Sequence, residues 1–365
     1  MKILLTNQHL ADLAGSEITT LETAIAFREM GFNVSVATFY YENPIREAFE
    51  RNRIKVYNLF YESLPHKTFD LAWCHHTPVI TYVLNLGIRF KKVVFRTLSF
   101  MVALEALPFF VDDCDVVLAV SGATAEKYVS NGWIEKDRIQ VMPNSVLDGF
   151  FAAAKEGNRP HLEKIAVVSN HPPREVMEAV EQLRKRSLAV QVIGKTSPGS
   201  YQLVTPEWLG EYDLLVTIGK TVQYGMAMKI PVYCYDRFGG PGYLTRKNFE
   251  KAAYHNFSGR CGQRKISPQK ITKEILTGYS DALEQVGYFR QIAQRRYDLK
   301  KNIGEVLVQI EKRKVNQVFY ERLFNREIRM QIKHNEYYLK YLRKAYLFEK
   351  KMREMEKQVK GREDG

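Results

Sequence analysis

The sequence predicts an α/β chain of two doubly wound, parallel-sheet domains facing a cleft, with a long helical extension behind them. Three observations carry this expectation. Short apolar runs alternate with helical segments as far as about Lys300. The alternation lapses over Phe150 to Leu162, where Gly157 and Pro160 mark a linker, and then restarts. Beyond about Lys300 it stops, and the composition turns to Lys, Arg, Glu, Tyr, Leu and Met without a proline. The expected boundaries are 1–155, 156–300 and 301–365.

Lys2 to Thr6 is the first strand. A loop ending in Gly15-Ser16 follows, then a helically spaced stretch, Glu17 to Met30, closed by Gly31 as its C-cap. Phe32 to Tyr40 is the second strand. Ile54 to Leu59, Phe69 to Cys74, Lys92 to Thr97, Asp115 to Val120 and Gln140 to Met142 continue the series, with Ser121 and Thr124 at the start of a helix. The second half opens with strand Ile165 to Ser169, helix Arg174 to Arg186, strand Val190 to Gly194 and helix Glu207 to Tyr212. Its centre is a compact βαβ unit: strand Asp213 to Ile218, Gly219, helix Thr221 to Met228, Pro231, and strand Val232 to Tyr235. The glycine-rich turn Asp236 to Gly242 follows.

The chain has 365 residues, 45% of them hydrophobic, enough for two ordinary cores. Its formal charge of +13 points to anionic partners, and about +7 of it lies after Lys300. Cys74, Cys114, Cys234 and Cys261 are scattered without metal-ligand spacing and read as reduced thiols. There is no apolar run of transmembrane length and no signal-peptide pattern, so a cytoplasmic protein is expected.

Ligands of open α/β sheets bind beyond the carboxyl ends of the strands. Gly219, Lys220 and Thr221 stand there, where a helix N-terminus and a lysine suit a phosphate; an ordinary βα turn is the plain alternative. Arg174 and Lys195 also follow strands, as phosphate contacts or as solvated cations. His171 sits in a loop stiffened by Pro172-Pro173. Gly15, with Ser16, and Gly239-Gly240 offer backbone to a ligand or simply turn the chain. His75-His76 end a strand and are candidates to orient or deprotonate a hydroxyl. Adjacent histidines do not converge as ligands do, so no metal is expected.

Several motifs resemble the GT-B glycosyltransferases of the large family-four type. They are Leu4-Leu5-Thr6-Asn7 with Gly15-Ser16-Glu17; Leu118 to Thr124, then Asn131-Gly132 and Arg138 to Val146; and Gly225-Met226-Ala227 to Pro231-Val232 with Gly239-Gly240. The resemblance implies two Rossmann-like domains, a nucleotide-diphosphate sugar donor and a glycan or lipid-linked acceptor. It further implies retention of configuration, as in cell-surface polysaccharide enzymes, and no nucleic-acid partner. The family's paired glutamates fall here at Val216 and Tyr224, the latter still counted with the donor-binding positions, and the family's first-domain histidine falls at Arg96-Thr97. A non-catalytic relative acting as a binding or scaffolding subunit is therefore the alternative, with a sugar-nucleotide epimerase behind it.

In the extension, Tyr338, Tyr341, Ala345, Phe348, Met352, Met355 and Val359 recur at alternating steps of three and four. Ile328, Ile332, Leu339 and Leu342 mark a second face. Three uses of residues 315–360 compete: a self-associating coiled coil, a basic amphipathic helix on an anionic membrane, and a helix packed on its own domain.

Overall fold

The computed structural model describes residues 1–195, 201–313 and 326–363. The first unit begins β1 (Lys2–Thr6), β2 (His9–Leu10), α1 (Gly15–Glu29), β3 (Asn33–Thr38), β4 (Tyr40–Tyr41), α2 (Ile45–Arg51) and β5 (Lys55–Asn58). It continues with β6 (Thr68–Cys74), α3 (Thr77–Asn85), β7 (Arg89–Thr97), β8 (Val116–Ala119), α4 (Gly122–Ser130) and β9 (Ile139–Val141). The second unit runs α5 (Asp148–Ala152), β10 (Lys164–Val168), α6 (Arg174–Arg184), β11 (Ala189–Ile193), α7 (Pro206–Gly210), β12 (Leu214–Thr217), α8 (Lys220–Ala227) and β13 (Val232–Asp236). It ends with β14 (Gly239–Tyr243), α9 (Phe249–Tyr254), α10 (Pro268–Thr277), α11 (Tyr279–Leu283) and α12 (Val286–Arg296). Two more helices close the described chain, α13 (Leu299–Glu311) and α14 (Arg326–Glu363).

The first sheet has the order β5-β3-β1-β6-β7-β8-β9, with every pair parallel. Ile3, Leu5, Val36, Trp73 and Leu118 pack on one face of it. Leu4, Ala37, Cys74, Phe95 and Ala119 pack on the other. Both faces are covered, which is why these strands read as unbroken apolar runs. The second sheet has the order β11-β10-β12-β13-β14. Only β14 runs antiparallel, against β13. The expected glycine turn at Gly239-Gly240 is thus a hairpin strand.

Strand order reverses at β1/β6 in one sheet and at β10/β12 in the other, leaving crevices at their carboxyl ends. The loops after β1, β6, β10 and β12 line one common cleft. Ser121 caps α4 as its sequence suggests, its hydroxyl accepting the Thr124 N–H at 3.3 Å.

Both expected boundaries shift. Phe150, placed in a linker, sits on α5 in the core of the second unit, its ring stacked on Tyr224 at 4.0 Å. Leu299, Ile303, Val306, Leu307 and Ile310 of α13, assigned mostly to the extension, complete the apolar layer under the first sheet. The chain therefore crosses between the units twice. The crossings run side by side, Val146 N–H donating to Tyr297 O at 2.7 Å and Leu299 N–H to Val146 O at 3.1 Å.

α14 lies against α3. Leu339 is buried there, with Leu342 and Tyr346 beside it. The Tyr346 hydroxyl meets Glu42, its ring meets that of Tyr40 at 4.7 Å, and Glu336 pairs with Asn85. The face that packs on the body is thus the second one. Of the heptad seam, Tyr338, Tyr341, Ala345, Phe348, Met352 and Met355 are exposed. The Val359 side chain, with those of Ile328 and Ile332, lies outside the described residues.

Candidate active site between the two sheets

The cleft has a volume of about 1250 Å³ and takes its lining from both units. Two helices of different units start at its wall. α1 opens at Gly15 without a side-chain cap, and its first helical bond is Ile18 N–H to Ala14 O at 3.0 Å. α8 opens at Gly219, whose φ of 59° is the left-handed region that glycine adopts without strain. Helix N-termini direct N–H groups and partial positive charge outward, so the cleft suits a group with two linked negative charges.

Lys220 does not present its ammonium to that space. It pairs with Glu22 of α1 and donates to Ser145 O at 2.9 Å, with the Glu22 side chain buried and that of Lys220 only 10% exposed. Tyr224 joins them through a hydrogen bond from its hydroxyl to Glu22. Loss of hydration lowers the Lys220 pKa, with the Glu22 charge opposing, and pushes the Tyr224 phenol well up. Glu22, Lys220 and Tyr224 form a buried clasp that ties α1 to α8.

Gly15, Ser16, His171, Gly219, Lys220, Thr221 and Tyr224 all border the cleft. The remaining expected donor positions do not. Arg174 is 91% exposed at its side chain and pairs with Glu178 one turn along its own helix, at 2.6 Å. Lys195, 54% exposed, pairs with Asp12 of the first unit at 2.8 Å. Gly239 and Gly240 serve chain packing. A Cβ on them would stand 2.3 Å from the Arg264 backbone and 2.0 Å from Cys234 O, respectively.

The two histidines separate. His76 lines the cleft and caps α3 at a φ of 62°, unusual for a side-chain-bearing residue. Gln8 N–H donates to its Nδ1 at 3.1 Å, so the ring proton belongs on Nε2, which faces Glu105 Oε1 at 3.4 Å. His75 is fully buried beneath the wall, beside Arg96, and neither ring nitrogen has a partner among the described residues. Burial, helped by the Arg96 charge, holds its pKa well below the ordinary 6.5.

His75 therefore makes stability depend on pH. The unfolded ring takes up a proton as pH falls through 6.5, while the folded ring stays neutral. The unfolded state then binds more protons, so stability falls with acidification, by up to about 1.4 kcal/mol per pH unit. His75→Gln is expected to lose this slope. Urea titrations of both proteins between pH 7.5 and 5.5 are the check, and parallel curves would mean that the native ring titrates normally.

Two carboxylates in α1 carry weight that sequence reading gave to others. Glu17 is buried at the cleft wall, hydrogen-bonded by Ser16 Oγ at 2.6 Å, and loss of hydration raises its pKa, which makes it a stronger base than an exposed glutamate. The available signal was the run of polar residues in this helix, of which Thr19, Thr20, Glu22 and Thr23 are all buried.

No protein-family model matches the sequence, and no curated protein does at a significant level. Similarity appears among solved structures. The Anabaena protein HepE, solved with UDP and glucose, is 15% identical with a TM-score of 0.58, over 84% of this chain and 99% of that one. A glycosyltransferase of Rickettsia africae is 14% identical with a TM-score of 0.55, over 85% and 98%. Staphylococcus aureus TarM, solved as a mutant with UDP, fondaparinux and a GlcNAc-glycerol, is 10% identical at 0.55, over 85% and 99%. The chain has the GT-B fold of these glycosyltransferases.

Proposed function

We propose that this protein transfers a sugar from a nucleotide-diphosphate donor to a glycan or lipid-linked acceptor in cell-surface polysaccharide synthesis, with retention of configuration. The observation that carries the reading is the pair of helix N-termini, one from each unit, at the wall of one cleft in a GT-B fold. In the reaction the donor C1–O bond breaks, the acceptor oxygen takes C1, and the acceptor proton leaves with the diphosphate. Backbone N–H groups at Gly15, Ser16, Gly219 and Thr221, with His171, are assigned to the diphosphate in place of a resident metal. His76 and Glu17 are assigned to the acceptor side.

A thermal-shift screen of nucleoside diphosphates, followed by transfer assays with the donor that binds, tests the reading. Binding without transfer or hydrolysis would favour a scaffolding subunit instead, an alternative kept by Val216 and Tyr224 at the glutamate positions. Failure of every nucleotide to bind would overturn both.

The exposed stripe of α14 supports placement on the cytoplasmic face of an anionic membrane. No helix among the described residues is long and apolar enough to cross one. Lys340, Lys344 and Lys351, all exposed, each precede a stripe residue and so border it on one side. Leu339 and Tyr346 follow stripe residues on the other side and are held by the body. A coiled-coil partner needs both flanks free. A lipid surface needs only the stripe and its cationic rim. The triple change Tyr341→Ser, Phe348→Ser and Met352→Ser is expected to weaken sedimentation with phosphatidylglycerol vesicles at least about tenfold. Unchanged sedimentation, or dimers by light scattering that the triple change dissolves, would reject membrane docking.

A further inference from the structure

Away from the helix N-termini, the cleft wall becomes aromatic and cationic. Phe100 and Val102 come from the loop after β7, and Arg237, Phe238 and Arg260 come from the second unit. The Arg260 guanidinium sits between two rings, 4.8 Å from the Phe238 centroid and 5.6 Å from that of Phe100. Its Nη2 reaches Met101 Sδ at 2.8 Å, and sulfur is a weak acceptor. Arg237 lies over the Phe238 ring at 4.8 Å and is exposed.

This arginine is held in place before any ligand arrives. Asp236 accepts from Phe238 N–H at 2.8 Å, Ser258 Oγ at 2.8 Å and Gly259 N–H at 3.0 Å, which fixes both the Phe238 turn and the turn that carries Arg260. A Cβ at Gly259 would stand 2.0 Å from Gly239 O, so the two turns are packed at closest approach. Asp236 is thereby occupied, and no carboxylate forms an ion pair with Arg237 or Arg260 among the described residues. Of the other acids that line the cleft near it, Glu126 accepts from the Tyr254 hydroxyl and Glu105 is held by Leu98 N–H and His76. Lys127 adds a third cation to the lining. Burial lowers the Arg260 pKa, with the Asp236 charge opposing and the Arg237 charge adding to it.

We propose that Arg260, stacked between Phe100 and Phe238 and seconded by Arg237, is an oxyanion subsite for the acceptor, and that the acceptor carries a phosphate or a carboxylate beside its reacting hydroxyl. The proposal rests on the glycosyltransferase reading and narrows its substrate class. A planar guanidinium clamped by rings loses little freedom when it binds such a group in a forked arrangement. The apolar neighbours accommodate the alkyl part of a lipid phosphate, or the ring face of an acidic sugar, equally well.

The test is titration calorimetry of the full chain with three acceptor analogues: a monosaccharide linked through diphosphate to a short alkyl chain, a uronic-acid disaccharide, and the carboxyl-reduced form of that disaccharide. At least one of the first two is expected to bind about tenfold or more tighter than the neutral one, as a charge-assisted contact implies. Which one it is identifies the source of the anion. Arg260→Gln is expected to abolish that preference and leave the neutral compound unchanged, Arg237→Gln to reduce it, and Arg260→Lys to restore it only in part. Equal binding of all three compounds, no binding by either anionic one, or an undiminished preference in Arg260→Gln would overturn the proposal. Nucleotide binding by the same proteins is read alongside. If it is intact while the acceptor preference is absent, the subsite alone fails; if it is missing from wild type, the glycosyltransferase reading fails first.

Discussion

Replacing Glu22 with alanine is expected to destabilise the protein by about 3–5 kcal/mol, because it leaves the nearly buried Lys220 ammonium without its counter-charge. The Tyr224 hydroxyl loses its acceptor in the same change. Lys220→Ala is expected to be costly too, leaving the Glu22 carboxylate with Tyr224 as its remaining partner. The double change Glu22→Leu with Lys220→Met removes both charges and is expected to recover much of the loss, as buried ion pairs replaced by apolar groups do. The measure is the urea midpoint of the four proteins, read as a double-mutant cycle. Additive losses would mean that the clasp is not formed in solution. Because the clasp joins α1 to α8, nucleotide affinity should follow stability in this series. A Lys220→Ala protein of wild-type stability that fails to bind nucleotide would instead return Lys220 to the phosphates.

Ile303→Ala is expected to cost about 2–5 kcal/mol, the usual range for truncating a well-packed aliphatic side chain. Ile303 is fully buried on α13 in the layer beneath the first sheet. Denaturation followed by hydrogen exchange in the β1, β3 and β6 amides should show the loss in the first unit. If the second unit's β10 and β12 amides lose protection instead, α13 belongs with that sheet.

The central strands were legible because they are buried on both faces, so Ile3-Leu4-Leu5 and Leu214-Leu215-Val216 need no alternation to be recognised. The cleft was legible in part, because carboxyl ends of strands can be placed from the alternation alone. Partnership was not. Lys220 shows its charge in the sequence, but the carboxylate that neutralises it comes from the other unit. Arg174 is the opposite case: Glu178 stands four residues on, a spacing that marks a helix-surface pair in the sequence itself. Arg260 escaped notice because its value lies in Phe100 and Phe238, which only folding brings to it. On α14 the periodicity of the seam was visible. The choice of Leu339 and Tyr346 as the packed face depends on α3 and Tyr40, which no local pattern reveals.

The double crossing between the units has a consequence for synthesis. A ribosome makes β1 to β9 early, but α13, which completes the layer that α1 and α2 begin on one face of that sheet, follows only after the whole second sheet has been translated. At about 5–20 residues per second that delay is on the order of ten to thirty seconds. Throughout it, the Leu5, Val36 and Trp73 face lacks the α13 side chains that will close it. Until then the apolar side chains of α1 and α2 are the only helical cover of that layer among the described residues.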